Sequence, residues 1–109
     1  MDAALISPAE VAPRLAQGDV CLLDVREPWE LETAAVDGTL DIPMGEVVDN
    51  LDRIRAAAAD KQLVVMCRSG ARSQQVANFL NENGLSGVLN LDGGILAWSE
   101  QVDPTLPTY

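Results

Sequence analysis

Leu63-Val64-Val65-Met66-Cys67-Arg68-Ser69-Gly70-Ala71-Arg72-Ser73 passes within one short stretch from an unbroken apolar run to a polar turn containing glycine. The apolar run has the length and branched-side-chain content of a strand buried on both faces. Val76, Phe79 and Leu80 then fall at helical spacing, and Asn83-Gly84 supplies a helix stop. Strand, turn and helix in that order read as half of a βα unit in a parallel sheet. In such sheets the loops leaving the C-terminal strand ends line the ligand crevice, and Cys67 occupies that position.

The chain on either side repeats the alternation. Val20-Cys21-Leu22-Leu23-Asp24-Val25 is apolar until near its end and predicts a second central strand, with Asp24 and Arg26 at its C-terminal mouth. Ala4-Leu5-Ile6 is short enough for an edge strand. Ser7-Pro8-Ala9-Glu10 reads as a capping box with proline at the first helical position, followed by Val11 and Leu15 on one face and Gly18 as a stop. A short helix is expected from Pro28 to about Thr33, and a brief strand in Thr39-Leu40-Asp41-Ile42-Pro43. Val47, Leu51, Ile54 and Ala58 predict a packing helix from Glu46 to about Ala59. Val88-Leu89-Asn90-Leu91 is the last strand candidate, Asp92-Gly93-Gly94 its turn, and Ile95 to Ser99 at least one helical turn carrying Trp98. The tail, residues 103–109, is expected to be extended and poorly ordered. Strands alternating with helices argue for an α/β class with a mostly parallel sheet.

A chain of 109 residues with 48 % hydrophobic content covers one small core and leaves little for a second, so residues 1–109 are read as a single domain. From Met1 onward there is neither a charged leader followed by an apolar stretch nor an apolar run long enough to cross a bilayer; a cytoplasmic protein is expected. Seventeen acidic against seven basic residues give a net charge of −10, which argues against nucleic acid and membrane as partners. The two cysteines, Cys21 and Cys67, are too few for a disulfide framework and are expected as reduced thiols.

Histidine is absent. Cys-His and Ser-His-Asp activation, histidine-bearing zinc sites and imidazole proton shuttling are thereby excluded, so a nucleophile here must be activated by its surroundings. Cys67 is placed for that. A thiol at a helix N-terminus lies near unpaired N–H groups and the positive end of the dipole, and Arg68 and Arg72 add positive charge. Gly70 lets the backbone curl so that successive amides make a nest for an anion, or for a sulfur carried on Cys67. Ser69 and Ser73 can add hydroxyl donors, and the two guanidinium groups suit a sulfonate, sulfite or phosphate.

Each candidate has a plainer reading. Cys67 could be an ordinary buried thiol in a βα turn, although two arginines, a glycine and two serines would then be odd company. Cys21, set among Val20, Leu22 and Leu23, is read as core. Asp24 and Arg26 are read first as a structural salt bridge or loop brace supporting the site. Gly93-Gly94 fits a tight turn as well as it fits a close approach to the Cys67 loop. Trp29 and Trp98 are read as packing residues or crevice walls.

Taken together, Asp24-Val25-Arg26-Glu27 with Trp29-Glu30, Leu40-Asp41-Ile42-Pro43 after Gly38, the Cys67 to Ser73 loop, and Leu91-Asp92-Gly93-Gly94 followed by Trp98 resemble the small single-domain rhodanese family along nearly the whole chain. The resemblance implies a five-stranded, mostly parallel sheet flanked by helices on both faces. It also implies a sulfurtransferase working through a Cys67 persulfide. Thiosulfate or another sulfane donor would load the sulfur, and a thiophilic small molecule, a thiol or a protein acceptor would remove it. Arg68 and Arg72 carry over as anion binders and the Ser69, Gly70, Ala71, Arg72 and Ser73 amides as the cradle; no cofactor and no metal are implied. Where the family commonly has Gly-His-Ile, this chain has Ala34-Ala35-Val36, which leaves the packing of that loop open.

Two rivals keep Cys67 and change its task. A cysteine-dependent phosphatase or arsenate reductase also cradles an anion, but uses Cys-x5-Arg, whereas Cys67 to Arg72 is Cys-x4-Arg, a tighter ring suited to a single sulfur atom. A persulfide carrier module fed by a protein partner has the same residues as the enzyme.

Overall fold

The computed structural model describes residues 2–109. In chain order its elements are β1 (Leu5–Ile6), α1 (Pro8–Ala16), β2 (Val20–Asp24), α2 (Pro28–Thr33), β3 (Leu40–Asp41), α3 (Leu51–Ala57), β4 (Gln62–Met66), α4 (Ala71–Glu82), β5 (Leu89–Leu91) and α5 (Gly94–Gln101). The five strands form one sheet in the order β1-β5-β4-β2-β3. Every pairing in it is parallel, rather than most of them.

Side chains alternate across a strand, and here the alternation divides the core in two. Cys21, Leu23 and Val25 of β2 and its continuation, with Leu63, Val65 and Cys67 around β4, face one layer, where they meet Ile54 of α3 and Val76, Ala77 and Leu80 of α4. Val20, Leu22, Val64 and Met66 face the other, with Val11 of α1 and Ile95 and Trp98 of α5. Helices therefore cover both faces. Cys67 lies on the α4 side because it is one step beyond Met66 in a period of two.

β2 and β4 are neighbours in register, Asp24 opposite Met66. The chain leaves β2 through α2 toward β3 and leaves β4 through α4 toward β5, on opposite sides of the pair. This divergence is the topological switch point at which open parallel sheets leave a crevice. Asp24, Arg26 and Cys67 lie at or just past the C-terminal ends of this strand pair.

Three expectations are corrected. The helix expected from Glu46 begins only at Leu51, after 3₁₀ turns at Met44–Glu46 and Val48–Asn50. Asn50 leaves helical geometry (φ −121°, ψ 21°), and its side-chain amide donates to the Glu46 carbonyl at 2.7 Å, the local competition that Asn offers a helix backbone. Val47 and Ile54 are buried all the same. Residues 103–106 turn back instead of running extended. The Asp103 carboxylate accepts from the Thr105 amide at 3.1 Å, turning the chain, and Leu106 packs on the α1/α5 layer while its carbonyl accepts from Ser99 Oγ at 3.1 Å. Trp29, read as packing or as a crevice wall, is 61 % exposed with its edge against the Tyr109 ring and is no core residue, whereas Trp98 is buried. The short α2 turns Glu30 inward and leaves its neighbour outside.

Candidate active site

Residues 67–70 turn sharply between β4 and α4. Gly70 has φ +115°, a conformation in which L side chains are strained, and its amide donates to Cys67 Sγ at 3.1 Å. The amides of Ser69 and Ser73 also favour the charged form of that sulfur. Ser73 Oγ lies 3.3 Å from it. Beneath the turn, the N-terminus of α5 supports it: Ile95 N–H donates to the Cys67 carbonyl at 3.0 Å and Leu96 N–H to the Arg68 carbonyl at 3.2 Å. Gly94 permits this approach, since a Cβ there would stand 2.5 Å from the Cys67 oxygen. The close-approach reading of Gly93-Gly94 therefore describes Gly94.

Cys67 is 1 % exposed. Burial acts to raise its thiol, but the Ser73 hydroxyl and the amides of Ser73, Gly70 and Ser69 outweigh it, and the thiol lies below its ordinary range. Cys21 shows the opposite case. Burial raises its thiol, Lys61 offsets only part of that, and both cysteines are free.

The two arginines of the loop are already paired. Arg72 holds Glu30 in a two-pronged bridge, Nη1 to Oε2 at 2.7 Å and Nη2 to Oε1 at 2.8 Å. This bridge brings the Glu30 carboxyl down to about 2, against the cost of its burial. Arg68 donates through Nε and Nη2 to the main-chain oxygen of Tyr109, and its guanidinium carbon sits 5.2 Å from the centroid of the Tyr109 ring. Asp24 and Arg26 are both fully buried and joined, Nη2 to Oδ2 at 2.7 Å. Arg26 also donates to the Ala34 carbonyl at 2.9 Å and to the Tyr109 hydroxyl at 2.9 Å. It thus braces the loop of Ala34 and Val36, both buried, where the histidine of the resemblance is missing.

Sequence reasoning gave no role to Glu30, Asn90 or Tyr109. Glu30 was legible as part of Glu27-Pro28-Trp29-Glu30, where its carboxylate accepts from the Glu27 amide at 2.7 Å and caps α2. Asn90 was legible as the lone polar residue of an apolar strand. Tyr109 carried no local signal. Among the described residues no His/Cys/Asp/Glu cluster is placed to hold a metal ion, and no helix is long and apolar enough to cross a membrane.

A parallel α/β sheet with a buried thiol at its switch point, accepting from the Gly70 amide at the head of α4, defines an α/β domain of the cysteine-loop class. A family model for the rhodanese-like domain matches residues 7–101, and the chain belongs to that family. It is 38 % identical to a sulfurtransferase of Allochromatium vinosum over 86 % of each chain. It is 42 % identical to a rhodanese-like/PpiC domain-containing chloroplast protein of Arabidopsis thaliana, over 81 % of this chain but only 30 % of that protein. The structure of the human single-domain sulfurtransferase TSTD1 superposes with a TM-score of 0.77 at 28 % identity, covering 91 % of this chain and 97 % of that one.

Proposed function

We propose that this protein is a sulfurtransferase that moves a sulfane sulfur from thiosulfate or a similar donor to a thiophilic acceptor through a persulfide on Cys67. The observation that carries the reading is a buried sulfur at the head of α4 that accepts from the Gly70 amide at 3.1 Å and lies 3.3 Å from the Ser73 hydroxyl, with its thiol below its ordinary range. The Cys67 thiolate attacks the outer sulfur of thiosulfate, a new S–S bond forms, and sulfite leaves with the electron pair of the bond that breaks. A nucleophile such as cyanide then attacks the outer sulfur; its bond to Cys67 breaks and the thiolate returns. Sulfite leaves as an anion, so the absence of histidine is no obstacle to the first half. A thiol acceptor arrives as thiolate by its own acidity.

Arg68 and Arg72 remain the groups proposed to meet the donor's anionic end. The sulfonate competes for them with the main-chain oxygen of Tyr109 and with Glu30. Asp24 and Arg26 support the site as a buried brace. Two free thiols fit a reducing, cytoplasmic setting.

Trp29 favours a second reading. It is 61 % exposed and meets Tyr109 edge-on, with ring centroids 6.0 Å apart, on the same side as Arg68. An exposed indole there suits a protein surface, and the domain would then be a carrier receiving its sulfur from a partner.

The test is intact mass after incubation with thiosulfate and desalting, repeated after cyanide with thiocyanate assayed. A gain of one sulfur atom on Cys67, lost to cyanide, is expected; Cys67→Ser takes up none and keeps the fold. Fully reduced protein that gains no sulfur from thiosulfate, but gains it from a persulfidated protein, turns the assignment to the carrier.

A further inference from the structure

Ser73 is fully buried, and its hydroxyl carries one proton with two claimants: Cys67 Sγ at 3.3 Å and Asn90 Oδ1 at 2.5 Å. Which claimant is favoured depends on which way the Asn90 amide points, and its neighbours decide that. Asn90 Nδ2 lies 3.1 Å from the Gly70 carbonyl, a group that can only accept. On its other side Nδ2 lies 2.9 Å from Gln74 Oε1. Gln74 is itself fixed, because its Nε2 donates to the Ala3 carbonyl at 3.1 Å and to Asn78 Oδ1 at 3.1 Å, and that same Oδ1 accepts from the Ala3 amide at 2.7 Å. From the backbone of Ala3 to Asn90, each donor and acceptor is therefore set by a group that has no alternative. Asn90 must present its oxygen to Ser73, and Ser73 can satisfy it only by donating.

We propose that Asn90 is a positioning residue for Cys67, competing with the cysteine sulfur for the single hydroxyl proton of Ser73. While Cys67 is a thiol, Ser73 donates to Asn90 and accepts the S–H. When the sulfur becomes a thiolate and its proton passes to solvent, the hydroxyl turns to the sulfur, and the oxygen of Asn90, itself 2 % exposed, is left without a donor. Asn90 thus favours the thiol and returns Ser73 to rest once Sγ is bonded to a second sulfur. The proposal deepens the reading of Cys67 as sulfur carrier and rests on it for its place in the reaction.

The experiment reads the thiolate directly, as the pH dependence of iodoacetamide alkylation assigned to Cys67 by peptide mass. It uses the full chain, Asn90→Leu, Ser73→Ala and the double variant, each with its thermal melt. Asn90→Leu removes the competing acceptor at similar size, together with the donors to the Gly70 carbonyl and Gln74 Oε1, and the midpoint for Cys67 is expected to fall by about half to one pH unit, the size of the neutral Ser73–Asn90 hydrogen bond that the thiolate no longer displaces. Ser73→Ala is expected to raise it, and in that background Asn90→Leu adds nothing, since no proton is left to compete for. Should Asn90→Leu fail to fold, Asn90→Ala carries the same expectation. An unchanged or raised midpoint, or an equal shift with and without Ser73, overturns the proposal, because a loosened loop would act in both backgrounds. Protein that shows these shifts yet takes no sulfur from any donor supports the role of Asn90 and removes the sulfurtransferase reading. Protein that loads sulfur without them leaves that reading standing and overturns this one.

Discussion

At Gly94 a single methyl group separates an assembled loop from a broken one. A Cβ would stand 2.4 Å from the Arg68 carbonyl oxygen and 2.5 Å from that of Cys67, both backbone atoms that cannot rotate away, and φ is +59°. Gly94→Ala is expected to lower stability by about 2–4 kcal/mol in urea unfolding, the range for overpacking against fixed atoms with added backbone strain. The same variant should slow Cys67 alkylation near neutral pH, because pushing α5 back moves the carbonyls it anchors and with them the amides around the sulfur. Cys21 makes the contrasting case. Its place in the β2 face of the core gives it packing and no partner in the chemistry. Cys21→Ser is expected to cost about 1–3 kcal/mol for an added buried hydroxyl while sulfur loading at Cys67 persists; a loss of loading with the fold intact would assign Cys21 a part in transfer.

At the scale of elements, the Glu30–Arg72 bridge ties α2 to α4 across the crevice between β2 and β4. The Glu30 carboxyl ordinarily titrates near 4.5 and in the folded protein near 2. A depressed carboxyl contributes stability that is complete above its unfolded value and is lost as pH falls through its folded one. Glu30→Gln is therefore expected to cost about 1–3 kcal/mol at pH 7, the lower part of that range being favoured by the 34 % exposure of the Arg72 side chain. The gap between variant and wild type should close as pH falls from about 4.5 to about 2. Urea unfolding at pH 7, 4 and 2.5 measures it, and a gap that does not narrow would show that Glu30 acts by packing alone. The bridge also shows what sequence reading can reach. The apolar runs of β2 and β4 and the spacing of Val76 and Leu80 announce themselves locally, and Cys67 with Gly70 could be placed from the turn between them. The partners of Arg68 and Arg72 could not, because Tyr109 and Glu30 are brought to them by the tertiary fold. Asn50 hid the true start of α3 in the same way, through a side-chain bond that a periodicity cannot register. The tail misled for the opposite reason, its prolines and threonines reading as loose while Leu106 and Tyr109 supplied the apolar contacts that dock it.

The whole molecule carries a net charge of −10, and thiosulfate is a dianion. If the loop arginines stood free, their local field would draw the donor in, and added salt would slow its approach. Arg72 is instead neutralised by Glu30, and Arg68, hydrogen-bonded to the main-chain oxygen of Tyr109, is one cation against a net charge of −10, so the long-range field that the donor meets is that of the acidic surface. The rate constant for sulfur loading from thiosulfate is accordingly expected to rise, by about two- to fivefold, as ionic strength goes from about 10 mM to about 0.3 M and the Debye length shortens from about 30 Å to below 8 Å. Alkylation of Cys67 by uncharged iodoacetamide supplies the control and should change little over the same range. Stopped-flow loading at several salt concentrations decides the sign. A rate that falls with salt would mean that Arg68 or Arg72 leaves its internal partner before the donor arrives, and that the loop meets thiosulfate with an open guanidinium.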